Sequence, residues 1–328
     1  MSKILFALLI LSITACSNKL HQATFVLLPD TQTYAEKFPE VLDAQVAYIL
    51  KEGKGIDMVL QQGDLTQNNN DKEWEVVKSA FAKLDGKVPY TVLPGNHDMG
   101  SVAGKFADVR NTTLYNRYFP ISHMSKLPYF GSAFNNEMDN TWYTFNTGKK
   151  AWLVVNLEFG PRDTVLQWAD KVIALHPDRL VIINTHAYMY SDSTRQNAKD
   201  YWRAQGYGIG KDTGTQSVND GEEIWEKLVK KHPNIRFVFS GHVLNGGVGT
   251  LVSINEEGYP VYQMLANYQE GVKGSVKGGN GWLRILKMDF KKGTLTVQTY
   301  SPYINEYMTD GAHNFIIKEV VYKTGTGK

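Results

Sequence analysis

Behind Gly95, the residues Asn96, His97 and Asp98 put an amide, an imidazole and a carboxylate on three consecutive positions. That mixture can ligate a metal, carry a proton or orient a base, although Gly-Asn is also ordinary turn chemistry and Asp a common helix cap. Similar polar clusters close other apolar runs: Asp30-Thr31-Gln32, Gly63-Asp64, His186 and Gly241-His242. Any one of these histidines alone reads more simply as a hydrogen-bonded core residue. Their recurrence at the ends of apolar runs is what points to a shared site. Oxygen donors from Asp and Asn mixed with imidazole suit Zn, Mn or Fe rather than Ca, which takes an all-oxygen shell.

The runs that must position these clusters have the length of buried strands: Phe25 to Leu28, Ile56 to Leu60, Val88 to Leu93, Leu180 to Ile183 and Ile235 to Phe239. Between the first three, Leu42, Val46, Ile49 and Leu50, then Trp74, Val77, Phe81 and Leu84, recur at the spacing of an amphipathic helix. Strand, helix, strand, helix, strand predicts a parallel α/β layer, with the strand ends sharing one edge where α/β proteins place their sites. Further helices are predicted around Val165 to Leu175 and Ile224 to Val229. The stretches 251–254, 261–265, 282–290 and 295–300 alternate like antiparallel strands. Residues 99–140, rich in aromatics, Gly, Asn and Pro, read as an insertion beside the site, and 206–218 as a Gly-rich loop. No linker or repeat divides the chain, so residues 24–328 are expected to form one domain.

With 42% hydrophobic residues among 328, the chain can bury a large core. A net charge of +2 without a basic stripe gives no argument for nucleic acid as a partner. At the start, Lys3 precedes the apolar run Ile4 to Ile13, far short of the ~20 residues of a spanning helix. The run ends in Ile13-Thr14-Ala15-Cys16, which resembles the lipobox of bacterial lipoproteins. That likeness implies a signal segment over residues 1–16 cut before Cys16, a tether over 17–23, and a membrane partner reached through lipidated Cys16. The expected location is the bacterial cell envelope, exported and lipid-anchored. Cys16 is the only cysteine, so no intramolecular disulfide supports the fold.

Taken together, Asp30-Thr31-Gln32, Gly63-Asp64, Gly95-Asn96-His97-Asp98, His186 and Gly241-His242-Val243-Leu244 resemble the motifs of the calcineurin-like metallophosphoesterases. The likeness extends from Phe25 to Tyr300. It implies a four-layer α/β/β/α sandwich and a site for divalent metal ions. One metal would be held by Asp64, Asn96, His186 and His242; the other by Asp30, bridging Asp64 and Gln32. The family has histidines where this chain has Gln32 and Leu244, so one tight and one weaker or absent metal are expected, unless Asn245 compensates. The resemblance further implies metal-activated water as nucleophile, with His97 as hydrogen-bond or proton donor to the leaving oxygen. Asp98 is expected to orient its imidazole. Arg162, in Gly160-Pro161-Arg162-Asp163, either grips a substrate anion or pairs with a neighbouring carboxylate. The expected substrate is a small-molecule or glycan phosphoester, with a diester favoured over a monoester. Rival readings are hydrolysis of another anionic ester such as a sulfate, or a non-catalytic, metal-containing ligand-binding lipoprotein.

Overall fold

In the computed structural model, which describes residues 20–325, strand β1 (Gln22–Leu28) pairs in parallel with β2 (Met58–Gln61), and β2 with β3 (Tyr90–Thr91). Helices α1 (Gln32–Lys37) and α2 (Pro39–Glu52) connect the first pair, and α3 (Asp71–Phe81) the second. The signal segment and Cys16 lie outside the described residues. β1 starts at Gln22, so the last two residues expected in the tether belong to the first strand. Of the run Val88 to Leu93, only Tyr90 and Thr91 form ladder pairs. Pro89 and Pro94, which lack an N–H, flank them.

The segment 99–140 contains α4 (Thr113–Tyr118), α5 (Ile121–Met124) and β4 (Phe130–Ala133). Strands β5 (Thr141–Thr147) and β6 (Lys150–Leu157) follow as a hairpin. After α6 (Asp163–Ala174) comes β7 (Leu180–Thr185), and after α7 (Gly221–Lys227) come β8 (Ile235–Ser240), β9 (Val248–Ile254) and β10 (Pro260–Ala266). These strands form a second sheet in the order β4-β5-β6-β7-β8-β10-β9. The chain then returns to the first sheet with β11 (Leu283–Asp289), β12 (Thr294–Ser301), β13 (Glu306–Tyr307) and β14 (Asn314–Ile317). There β11 pairs antiparallel to β1.

Alternation along the strands explains why they read as unbroken apolar runs. Phe25 and Leu27 of β1 pack between the sheets with Val154, Ile182 and Phe237, whereas Val26 and Leu28 pack beneath α2 and α3 with Val46, Ile49, Trp74 and Phe81. In the second sheet Val155, Ile183 and Val238 turn outward to Val165 of α6 and Ile224 of α7. Both faces of both sheets are therefore covered, and the architecture is the four-layer α/β/β/α sandwich.

Two expectations change here. The five strand ends belong to two facing sheets rather than to one parallel layer. The strand expected at 261–265 is antiparallel to β9, as predicted, but also lies parallel against β8, which brings its C-terminal end to the site edge. Near that edge the contact between sheets turns polar. Asn184 Nδ2 donates to the Gln61 carbonyl at 2.9 Å, and Asn156 Nδ2 to the Val92 carbonyl at 2.9 Å, which fixes one sheet's strand ends against the other's.

Candidate functional site

Asp30 follows β1, Asp64 follows β2, Asn96 and His97 lie in a 3-10 turn after β3, His186 follows β7 and His242 follows β8. Their polar atoms converge on one point. His186 Nε2 lies 3.0 Å from Asn96 Oδ1, 3.0 Å from His242 Nδ1 and 3.3 Å from Asp64 Oδ1. All four residues are buried. The glycines of the motifs permit this crowding: a Cβ on Gly95 would collide with Asp64 Oδ1, and one on Gly241 with Asp30 Oδ1. Asp64 and His242 themselves hold left-handed backbone (φ 52° and 73°), a conformation uncommon outside glycine.

The two imidazoles show what the site is built to take. His186 Nδ1 lies 2.7 Å from the Gln62 carbonyl, and His242 Nε2 lies 2.6 Å from the Trp202 carbonyl. A carbonyl only accepts, so both of those ring nitrogens carry hydrogens. In the neutral rings, His186 Nε2 and His242 Nδ1 then point lone pairs at each other, an arrangement that needs a cation between them. Without one, a proton takes that role. Burial opposes charge on His186, but Asp64 and Asp30 raise it to about 9, while burial and the neighbouring His186 push His242 down to about 3. Burial alone would raise Asp64 as well; His186, His97 and His242 outweigh it and hold the carboxyl below its usual range. Two imidazole nitrogens, an amide oxygen and a carboxylate fit a divalent metal such as Zn, Mn or Fe. Both rings are oriented by carbonyls behind them, as metal-binding histidines commonly are.

The neighbouring position, on the Asp30 side, is built differently. Both Asp30 oxygens accept from the His242 N–H (3.1 and 3.2 Å), and Oδ2 also accepts from Asn267 Nδ2 at 2.9 Å and Gln269 Nε2 at 3.3 Å. Burial pushes the Asp30 carboxyl up to about 8, and Asp64 adds to this, against His186 and the backbone donors. Gln32 donates Nε2 to Asp64 Oδ2 at 3.0 Å, leaving its buried Oε1 without a partner. Leu244 is half-buried near Gly271. Asn245 is exposed and offers its amide to Ser191, so it does not complete the site.

His97 stands at the rim of the cluster. Its N–H donates to Asp64 Oδ1 at 2.9 Å, and its Nδ1 lies 2.8 Å from the Gln67 carbonyl, which leaves Nε2 for a substrate. Asp98 does not orient this ring. Its carboxylate is buried and accepts from the N–H groups of Gly95, Leu65 and Thr66 and from Thr66 Oγ1, all at 2.9–3.0 Å, tying the β2 and β3 loops together. Arg162 takes the ion-pair alternative: Nε lies 2.9 Å from Glu158 Oε1, and Arg110 reaches the other oxygen of the same buried carboxylate at 3.1 Å. It lines a separate cavity of about 380 Å³ with Arg110 and Asp139.

Several residues of the site carry no sequence motif. Asn267 could have been found, since it closes the apolar run of β10 as Asp30, Asp64, His186 and His242 close theirs. The Trp202 carbonyl has no side-chain signature. Phe106, Tyr201, Trp202 and Tyr207 line a cleft of about 410 Å³ that opens onto Asn96 and His97.

The chain belongs to the calcineurin-like phosphoesterase family, whose sequence signature matches residues 23–246. A Bacillus subtilis (strain 168) relative, the uncharacterized protein YvnB, is 30% identical over 298 residues. These make up 88% of this chain and 21% of that protein, so the chain spans about a fifth of its relative's length. The purple acid phosphatase PPD1 from yellow lupin (Lupinus luteus) seeds shares the fold, with a TM-score of 0.54 at 14% identity over 94% of this chain and 55% of that one. Family membership supports metal-dependent phosphoester hydrolysis as the chemistry of this site.

Proposed function

We propose that this protein hydrolyses phosphoesters of small molecules or glycans, diesters in preference to monoesters, and is exported and held at the bacterial cell envelope through a lipidated Cys16. The observation that carries the catalytic part is the pair His186 Nε2 and His242 Nδ1, 3.0 Å apart with their other nitrogens committed to carbonyls. A divalent cation bound there supplies Lewis acidity, making water nucleophilic near neutral pH and offsetting charge on phosphate oxygens. The chain's own residues do the rest. Asp64, Asn96, His186 and His242 hold the charge in place, and Gln67 holds the His97 ring. In its protonated form, His97 Nε2 donates to the leaving oxygen.

The preference for diesters rests on the Asp30 side. Its carboxylate is already filled by amide donors, and Gln32 donates to Asp64. A site with one tight metal and a weak or absent second carries less positive charge to hold a dianionic monoester, and so suits a monoanionic diester better. The test is metal analysis of the purified full-length chain together with hydrolysis of phosphomonoesters, phosphodiesters and sulfate esters. We expect one tight equivalent of Zn, Mn or Fe and the fastest turnover on diesters. A metal-loaded protein that cleaves none of them, or only sulfates, would falsify the reading. For the anchor, Cys16→Ser should move the protein from the membrane to the soluble fraction; unchanged partition rejects it.

A further inference from the structure

We propose that the cleft beside the metal-ligating cluster is a stacking site, selecting phosphoesters whose alcohol part carries a flat aromatic ring, nucleoside or aryl. The inference rests on the phosphoesterase reading of the same site. Among the described residues, the exposed Phe, Tyr and Trp side chains are Phe106 (36%), Tyr201 (72%) and Tyr307 (48%). Two of these three line the cleft that opens onto Asn96 and His97. Leaving such rings in water gains nothing for folding, so their clustering at the site points to a ligand that covers them.

The geometry also says which part of the substrate they would meet. The Phe106 ring lies over the His97 imidazole, with centroids 4.0 Å apart and planes 31° from parallel. A ring held beside Phe106 is therefore held beside the group that serves the leaving oxygen, so the aromatic moiety belongs to the leaving alcohol. The opposite wall is set by the metal site itself. Trp202 holds left-handed backbone (φ 61°), costly for a bulky side chain, and its carbonyl is fixed by the His242 Nε2–H. Tyr201 packs edge-on against Trp202 with centroids 5.1 Å apart, which presents its exposed ring at the mouth. Stacking on aromatic side chains tolerates any flat base or aryl group, because each has a π face.

The experiment is calorimetric titration of the full-length, Mn-loaded protein with adenosine 5′-monophosphate, phenyl phosphate, ribose 5-phosphate and glycerol phosphate. The two ring-bearing ligands should bind at least fivefold more tightly than the two without an aromatic ring. Tyr201→Ala, a change at an exposed position, should weaken the ring-bearing pair roughly 5–100-fold, the usual loss when a stacking partner is removed. The other two ligands serve as internal control, and Tyr201→Phe should restore the advantage. Equal affinities for adenosine 5′-monophosphate and ribose 5-phosphate, or an equal loss for both in Tyr201→Ala, overturns the proposal. Tighter binding of adenosine 5′-monophosphate alone narrows the ring to a nucleobase and supports it. Phosphate release from each ligand is followed alongside the titration: ring-selective binding without hydrolysis of any ester would sink the phosphoesterase reading and leave the stacking site. Hydrolysis without ring selectivity would do the reverse.

Discussion

The backbone carbonyl of Trp202 accepts the Nε2–H of His242 at 2.6 Å, so a wall of the cleft and a ligand of the candidate metal are one hydrogen bond apart. Fixing the His242 ring should therefore quiet the loop that carries Trp202. The Gly206 and Tyr207 amides, bonded to the Arg203 and Ala204 carbonyls, are suitable reporters. Their hydrogen exchange should slow when Zn or Mn is added to stripped protein. His242→Ala should lose both the metal and the protection. Exchange that is indifferent to loading would uncouple the loop from the site.

His97 and Asp98 are neighbours with separate tasks, and their substitutions should fail differently. His97→Ala should keep the fold and the metal while lowering kcat by roughly 10²–10⁴-fold on esters with poor leaving groups, less on good ones. Asp98→Ala strands the N–H groups of Gly95, Leu65 and Thr66 in a buried loop junction. At about 1–3 kcal/mol for each lost partner, partly offset by relaxation, it should cost roughly 3–5 kcal/mol of stability. Thermal unfolding and metal content of both variants distinguish these roles. An Asp98→Ala protein with unchanged stability and a selective kinetic defect would restore the orienting role.

The Asn267 and Gln269 amides compete with a metal for Asp30 Oδ2. Removing both donors in Asn267→Ala/Gln269→Ala should leave that oxygen with the His242 N–H as its one remaining donor and strengthen a second, weak metal equivalent by about tenfold, the scale of one hydrogen bond to a charged group. Metal titration of stripped protein reads this directly. Two equally tight metals in the unaltered protein would show that these amides do not block the position.

Away from the metal, Asp139 gives a pH signature. Burial raises its carboxyl to about 6, with Glu158 adding to the rise and Thr112 and Asn116 opposing it. A folded pKa above the unfolded value of 3.8 means that the folded state prefers the protonated form. The associated stability is present below about pH 4 and lost as pH rises through about 6. Asp139→Asn, which can still meet Thr112 and Asn116, should thus be stabilising at pH 8, by an amount on the order of 3 kcal/mol at most. The gain should fade toward pH 4. Thermal unfolding across that range decides it, and a gain that is flat with pH would contradict the assignment.

What was legible in the sequence is what short-range physics encodes. A strand buried on both faces must be an unbroken apolar run, and a polar residue can follow only where the run stops, so the candidate ligands Asp64, Asn96, His186 and His242 could be located from neighbours a few residues away. The departure at Gln32 and Leu244 was visible only against the family's motifs, which have histidines there. The partners of these groups were decided only by the tertiary structure, because they depend on pairings across the chain. Asp98 is claimed by the Leu65 and Thr66 amides rather than by its neighbour His97, since folding brings the β2 loop against it and leaves those N–H groups needing an acceptor. β10 shows the same limit: alternation marks a strand, but whether it lies parallel to β8 depends on where the chain crosses, and that direction carries Asn267 to Asp30. Trp202 acts through a backbone carbonyl, a group every residue shares, so only its placement against His242 could single it out.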